Sequence, residues 1–371
     1  MNIQWKKKTI FIYGMILFCI LVSILFVQNN FYLYEQPIAK VVEATMTDEK
    51  ETIDSFENKD QLFQQQLVGE IKNGEQQGQQ ILLENQYSLS GAADHEFQVG
   101  DIVFVTIQRN EETNLAGSID GPKRDIYVVI AAWFFILIVL LIGRKSGLFS
   151  IISLVVNVLV LIIAMNYYTS LEDVDLWLIC GGLVIFFTVF SLLLVSGNNE
   201  KTHAAIIATL AGTFSSLVIA YAVIALTAGE GLRYEEMAFI TRNPQSIFLA
   251  SLLVGSLGAA MDIAITITSS LYELNDKNNA ISLKDLKTSG REIGKDIMGT
   301  MANVLFFAYV SGSIPMILLY LKNGMAVNYT LTMNLSLELT RALVGSIGIV
   351  MTIPISIYTA TYFIRKRRAV K

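Results

Sequence analysis

The residue best placed to do chemistry in this sequence is an aspartate in the middle of a long apolar run. Residues 247–273, IFLASLLVGSLGAAMDIAITITSSLYE, are long and apolar enough to cross a bilayer, whose hydrocarbon core takes about 20 helical residues. Asp262 lies well inside the run. At helical spacing Ser251, Gly255, Ala259 (with Gly258), Asp262, Thr266, Ser269 and Glu273 share one face, and each is small or polar. The opposite face is Leu, Val, Ile and Met. An ionised carboxylate at mid-span costs roughly 2.5–3.5 kcal/mol on insertion scales, so it must be neutral, paired or hydrated. One reading is interhelical glue, a protonated Asp bonded to a neighbouring helix. The other is a carboxylate that couples a proton or an ion. A Ser or Asn could have served as glue, which favours coupling.

Two later segments carry polar faces of their own. Glu292, Asp296, Gly299 and Asn303 line up at the start of the next apolar run. A short connection makes that run an antiparallel neighbour of the Asp262 helix, so Asn303 and Asp262 could approach. In the last run Glu338, Arg341, Gly345, Gly348 and Thr352 fall on one side, with Pro354 as a kink. Glu338 and Arg341 are three apart and can pair along the helix. They form either a near-surface ion pair or a cation that biases Asp262 or a substrate anion. Gly255, Gly258, Ala259, Gly345 and Gly348 are the small residues expected to let helices pack closely. Ala208, Gly212, Ser215 and Ser216 do the same in the run 204–228.

The elements that must position these residues follow from composition. Of 371 residues, 53% are hydrophobic and 16% charged. Soluble domains carry about 25% charged residues, so the expected class is an all-α polytopic membrane protein. Apolar spans fall at 126–143, 148–168, 176–195, 204–228, 247–272, 298–321 and 336–363. Residues 9–27, after Lys6, Lys7 and Lys8, make an eighth. They are read as a retained signal anchor within an N-terminal segment 1–28, since 28–30 offer no small-residue cleavage site.

Between the first two spans, residues 29–125 are polar and hold more than half of the 32 acidic residues. Alternation at 38–44, 67–72, 80–85 and 101–107, with turn signals at Asn73-Gly74 and Gly100-Asp101, predicts a small β-rich extracytoplasmic domain, a partly open barrel. The acidic, Gln-rich stretch 48–66 is expected to be a short helix or loop. Residues 126–371 are then a seven-helix membrane domain, with a helix lying at the cytoplasmic interface over 275–296 and Gly290 and Gly294 marking the bend into the next span. Lys and Arg concentrate in alternate connections (Arg144, Lys145, Lys201, the 277–295 segment and the 365–371 tail). This predicts that both termini are cytoplasmic.

Several classes of chemistry find no support. The two cysteines, Cys19 and Cys180, sit in separate apolar runs, and with only His95 and His203 a histidine zinc site is not expected. His95 reads as a solvated loop residue. No cofactor, metal, nucleotide or nucleic acid is implied: the 290–295 segment lacks the phosphate-loop spacing. Intramembrane aspartic chemistry needs two facing carboxylates, and Asp262 is the one deep acid, so an enzyme is not expected.

The motifs GSLGAAMDIAITITSSLYE, GREIGKDIMGTMANVLFFAYVSGSIP and ELTRALVGSIGIVMTIP resemble the YibE/F-like family of bacterial multipass membrane proteins, over most of residues 120–363. The resemblance implies a multipass protein of the bacterial cell membrane for which a homologous membrane partner or a homo-oligomer is possible, and it supplies no catalytic residue to carry over. A Gly-rich helix with a membrane Asp, a basic loop and a helix opening Asp-x6-Asn is also similar, as mechanism, to one half of a SecD/SecF or RND-type protein. Those proteins couple proton flow to an extracytoplasmic domain. This chain departs from them in having two extra spans, a smaller outer domain and no repeat. The expectation is a transporter or proton-coupled membrane machine built around Asp262. The alternative is an assembly or scaffold protein whose outer domain binds a partner.

Overall fold

The computed structural model describes residues 7–55, 57–91, 94–109, 115–170, 174–237 and 243–370. Lys6 and Lys371, which enter the charge pattern, lie outside the described residues. The chain divides into two compact units, Met1–Ile138 and Val139–Lys371.

In the first unit an apolar helix α1 (Lys7–Asn29) leads into five strands: β1 (Ile38–Ile53), β2 (Lys59–Ile71), β3 (Gln80–Ser88), β4 (Ile102–Arg109) and β5 (Leu115–Pro122). They close a barrel in the order β1-β2-β3-β5-β4, with β4 returning to β1 and β3 parallel to β5. That order, all antiparallel except for the β3/β5 pair, is the arrangement of an OB-fold barrel. Closure encloses Ala39, Val41, Leu67, Ile71, Ile81, Leu83, Phe97, Val103 and Val105. The turn at Asn73-Gly74 forms as expected, with Gly74 at φ 80°. The buried Asn73 side chain accepts from Ile38 N at 2.7 Å and donates to the Tyr34 and Gln36 carbonyls at 2.9 Å.

The stretch 48–66 is neither helix nor loop. It is the far half of a long β1–β2 hairpin, paired from Asp48–Gln64 to Ile53–Lys59. Its side chains are largely solvent-exposed, so no apolar alternation betrays it. Where the barrel ends, Lys123 is buried. Its Nζ donates to the Val27 carbonyl at 2.8 Å and pairs with Asp125 at 3.0 Å, beside the rings of Phe31 and Tyr34. The Asp125 carboxylate also accepts from the Tyr34 hydroxyl, which pushes the Tyr34 phenol above its ordinary pKa. His95 is exposed, and its Nε2 accepts from Arg124.

Helix α2 (Asp125–Thr169) begins in the first unit and ends in the second. A straight helix of its 45 residues would be about twice the bilayer core. At Arg144 the backbone leaves helical geometry (φ 47°, ψ −119°), and Gly147 comes against the Val139 carbonyl. The break falls between the expected spans 126–143 and 148–168, which are two helical stretches on either side of Arg144.

The second unit continues with α3 (Leu176–Ser196), α4 (Glu200–Leu226), α5 (Pro244–Lys277), α6 (Leu283–Ser311), α7 (Ile314–Lys322) and α8 (Val327–Val370). Among the described residues five helices are long and apolar enough to span a membrane. The pair α6 and α7, bent by 50°, can make a sixth. This is a multipass membrane protein, mostly helical, with a small β-barrel near its N-terminus.

Asn243 caps α5, accepting from Gln245 N at 3.0 Å, and Pro244 occupies the first turn, where its missing N–H is not needed. Ser282 caps α6, accepting from Asp285 N at 3.1 Å. Only residues 278–282 separate α5 from α6. The segment 275–296 is therefore not a separate interfacial helix but the end of α5, a turn and the first turns of α6. Gly290 and Gly294 do not bend the chain. A Cβ at Gly290 would stand 2.9 Å from Ile357, and one at Gly294 2.5 Å from Ile353. Both let α6 lie close on α8.

Candidate functional site: the polar strip of α5

Helix α5 is the centre of the second unit, in contact with α3, α4, α6 and α8. Phe248, Leu253, Ile263, Ile267 and Leu271 are fully buried. Leu253 and Leu257 pack on Leu183, Val184 and Phe187 of α3, Ala264 on Ala205 and Ala208 of α4, and Ala259, Ile263 and Ile267 on Ile349 and Ile357 of α8. Leu305 of α6 joins that last cluster. One strip of α5 is less covered than the rest of the helix. Gly258, Asp262 and Glu273 are exposed on it, and Ser251, Gly255, Thr266 and Ser269 are half-buried.

The strip is the polar stripe read from the sequence, with one change: Ala259 turns inward and is buried with Ile263. Gly258 is not a packing glycine, since a Cβ there would meet nothing within 4 Å. The expected packing glycines Gly255, Gly345 and Gly348 do touch neighbours. A Cβ at Gly255 would strike the Tyr309 hydroxyl of α6, and one at Gly345 would lie 2.8 Å from Leu305. Gly348 faces Ser216 at 3.3 Å.

The proposed partners of Asp262 are not gathered around it. Asp296 and Asn303 are exposed on α6, off the Gly290, Gly294, Ile297, Met301 and Leu305 side that packs inward. Among the described residues no hydrogen bond or ion pair joins either of them to Asp262. Glu338 and Arg341 of α8 do pair. Arg341 also reaches the strip, with its Nε 3.4 Å from Ser251 Oγ and its guanidinium 5.4 Å from the Phe248 ring centre. Ser251 is eleven residues before Asp262, about 16 Å along the axis. The pair therefore marks one end of the strip and does not neutralise its middle.

At the other end the strip opens into a polar cavity of about 800 Å³, lined by Ser269, Tyr272, Glu273, Asp276 and Lys277 of α5. Asn199, Glu200 and Lys201 at the start of α4, with Arg367 of α8, complete the wall. Glu273 bonds Lys277 at 2.7 Å, and Asp276 bonds Arg367 at 3.2 Å. The Tyr272 hydroxyl is buried and, among the described residues, has no hydrogen-bond partner. Next to the cavity Arg368 ties the helix ends together, donating to Asn275 Oδ1 from Nε at 3.0 Å and to the Ile281 carbonyl at 2.9 Å. The sequence reading missed Tyr272, Arg367, Tyr309 and Arg368. Each acts across tertiary contacts between helices, and spacing along one helix carries no signal of those.

A mid-helix carboxylate on an exposed strip can exchange a proton or hold a cation where water reaches it. Comparison with curated proteins gives no match, nor does comparison with solved structures. Family models do match. The N-terminal domain of the YibE/F family covers residues 31–122, the barrel. The YibE/F-like protein model covers residues 131–366, from α2 nearly to the end of α8. With both models in chain order over almost the whole length, the chain belongs to the YibE/F-like family.

Proposed function

We propose that this protein is a transporter or proton-coupled membrane machine, with Asp262 as the coupling carboxylate. The observation that carries this reading is the exposed strip from Gly258 to Glu273 and its opening into the polar cavity. A carboxylate facing hydrocarbon costs roughly 2.5–3.5 kcal/mol, so in the membrane the strip meets water or a second protein surface. We place the chain in the bacterial cell membrane with eight spans, both termini cytoplasmic and the barrel outside. The cavity then opens to the cytoplasm, and a homologous partner or a second copy borders the strip. We read the protein as a non-enzyme, since Asp262 is the one deep acid in its sequence and intramembrane aspartic chemistry needs two.

Asp262→Asn keeps the shape and removes the titratable group. The variant should insert and fold as wild type, yet fail to rescue a deletion strain. In vesicles loaded with a pH-sensitive dye it should also lose any proton flux the wild type shows. If Asp262→Asn rescues fully, the coupling reading is wrong.

The exposed, acidic β1–β2 arm favours a second reading, an assembly protein whose barrel binds a partner. Under that reading removal of residues 45–115 abolishes function and Asp262→Asn is silent.

A further inference from the structure

A second cavity, of about 290 Å³, lies between α6 and α8 on the outside of the second unit. Lys287, Arg291 and Lys295 of α6 recur every four residues along one edge of it, so three cations rise along a single helix face over about 12 Å. Its floor is apolar: Val350, Ile353, Pro354 and Ile357 of α8, continued by Met298 of α6. Val350 and Pro354 are exposed there, as is Tyr358, whose ring centre lies 4.8 Å from the Lys287 Nζ. Gly294 holds the two helices together beneath the groove, since a Cβ there would meet Ile353 at 2.5 Å. Lys295 shares Glu292 at 2.8 Å. Among the described residues neither Lys287 nor Arg291 pairs with a carboxylate.

We propose that this groove binds one anionic glycerophospholipid, with its phosphate against Lys287 and Arg291 and an acyl chain over Ile353, Pro354 and Val350. Charge and shape favour a lipid. The cations line the α6 edge of the groove and hydrocarbon side chains its floor, which runs on past Lys295 to Met298 and Val350, so the groove offers the two chemistries that a phospholipid combines. The groove also runs along a helix with a membrane-spanning segment, the direction in which a lipid lies. A soluble anion would leave the apolar floor uncovered. Basic pockets between spanning helices are a recurring way to hold acidic headgroups. This site is separate from Asp262 and stands whether or not coupling occurs there.

The test is native mass spectrometry of the full chain after reconstitution with phosphatidylglycerol or phosphatidylcholine of matched chains. Wild type should retain one phosphatidylglycerol in preference to phosphatidylcholine. Arg291→Gln should reduce that preference about fivefold, the change made by one cation at an anionic membrane surface. The triple variant Lys287→Gln/Arg291→Gln/Lys295→Gln should abolish it. Val350→Trp, which fills the floor from an exposed position, should lower retention of both lipids while leaving the unfolding temperature unchanged. Equal retention of the two lipids by wild type would overturn the proposal, as would unchanged preference in Arg291→Gln. So would displacement of the lipid by inorganic phosphate alone. Loss of a dimer in Val350→Trp without loss of lipid would assign the groove to a second copy.

Discussion

Gly212→Ala tests how tightly the second unit is packed. In a helix interior Ala is favoured over Gly by up to about 1 kcal/mol, so where space is free the substitution stabilises. At Gly212 of α4 space is not free. An added Cβ would collide with the Thr352 hydroxyl of α8 and lie 3.0 Å from Thr352 Cβ and 3.2 Å from its Cα. Thr352 cannot swing away without giving up its bond to the Gly348 carbonyl at 2.7 Å. Overpacking of this kind costs about 1–3 kcal/mol, so Gly212→Ala should destabilise by about 1–2 kcal/mol net. Thr352→Ala removes the colliding hydroxyl and costs about 1 kcal/mol or less alone. In the double variant the two effects should be non-additive by about 1 kcal/mol in the favourable direction. Gly258→Ala is the contrast, because its Cβ meets nothing within 4 Å. It should be neutral or slightly stabilising. Unfolding of the monomeric, detergent-solubilised protein by denaturant titration reads all four. A Gly212→Ala protein as stable as wild type, or a strictly additive cycle with Thr352→Ala, would refute the close approach of α4 and α8.

Two other outcomes are expected. Lys123→Met removes the cation from a buried pair and leaves Asp125 behind, which should cost about 3 kcal/mol, the low end for such a break because Asp125 keeps some exposure. Adding Asp125→Asn should recover part of the loss, measured as protease resistance of the barrel in the full-length protein. For orientation, Cys19 and Cys180 are replaced by Ala and single cysteines placed at Gln77 or Asn279, both exposed. A membrane-impermeant maleimide should label Gln77→Cys on intact cells and Asn279→Cys only after permeabilisation. The reverse pattern would invert the topology.

What could be read in the sequence was decided by burial. The core half of β1 and strands β3 and β4 alternate because one face packs into the barrel, and they appear at nearly their observed positions. The β1–β2 arm is wet on both faces and its composition resembles a loop, so only cross-strand pairing defines it. Strand β5 (LAGSIDGP) hides behind two glycines and a proline, poor strand formers. Gly117 is nevertheless required: a Cβ there would stand 2.6 Å from the Thr106 carbonyl oxygen. In the helical unit the 3.6-residue period located the polar strip of α5 correctly, because a stripe is a property of one helix. The same period could not say which stripes face each other. Asp296 and Asn303 form a real face on α6, but Gly290 and Gly294 form a flatter one, and the flatter face packed against α8.

With that packing, Gly258 and Asp262 stay exposed on α5. Lipid tails are as apolar as leucine, so helices in a bilayer associate through close contact at small residues and not through apolar burial. Gly212, Gly255, Gly290, Gly294, Gly345 and Gly348 each stand against a neighbouring helix. Gly258 does not, although it lies one turn from Asp262 on the same face. A glycine without a neighbour adds no packing, and an aspartate facing lipid opposes insertion, so neither is accounted for by the stability of this chain alone. Both are accounted for if the strip is completed from outside the chain. A partner helix docked at Gly258 would narrow the strip to a channel whose polar wall is Asp262, Thr266 and Ser269, open at the Glu273 end to the polar cavity. Docking and coupling then become two consequences of one surface. Gly258→Leu should abolish assembly and activity together, whereas Asp262→Asn should abolish activity with assembly intact.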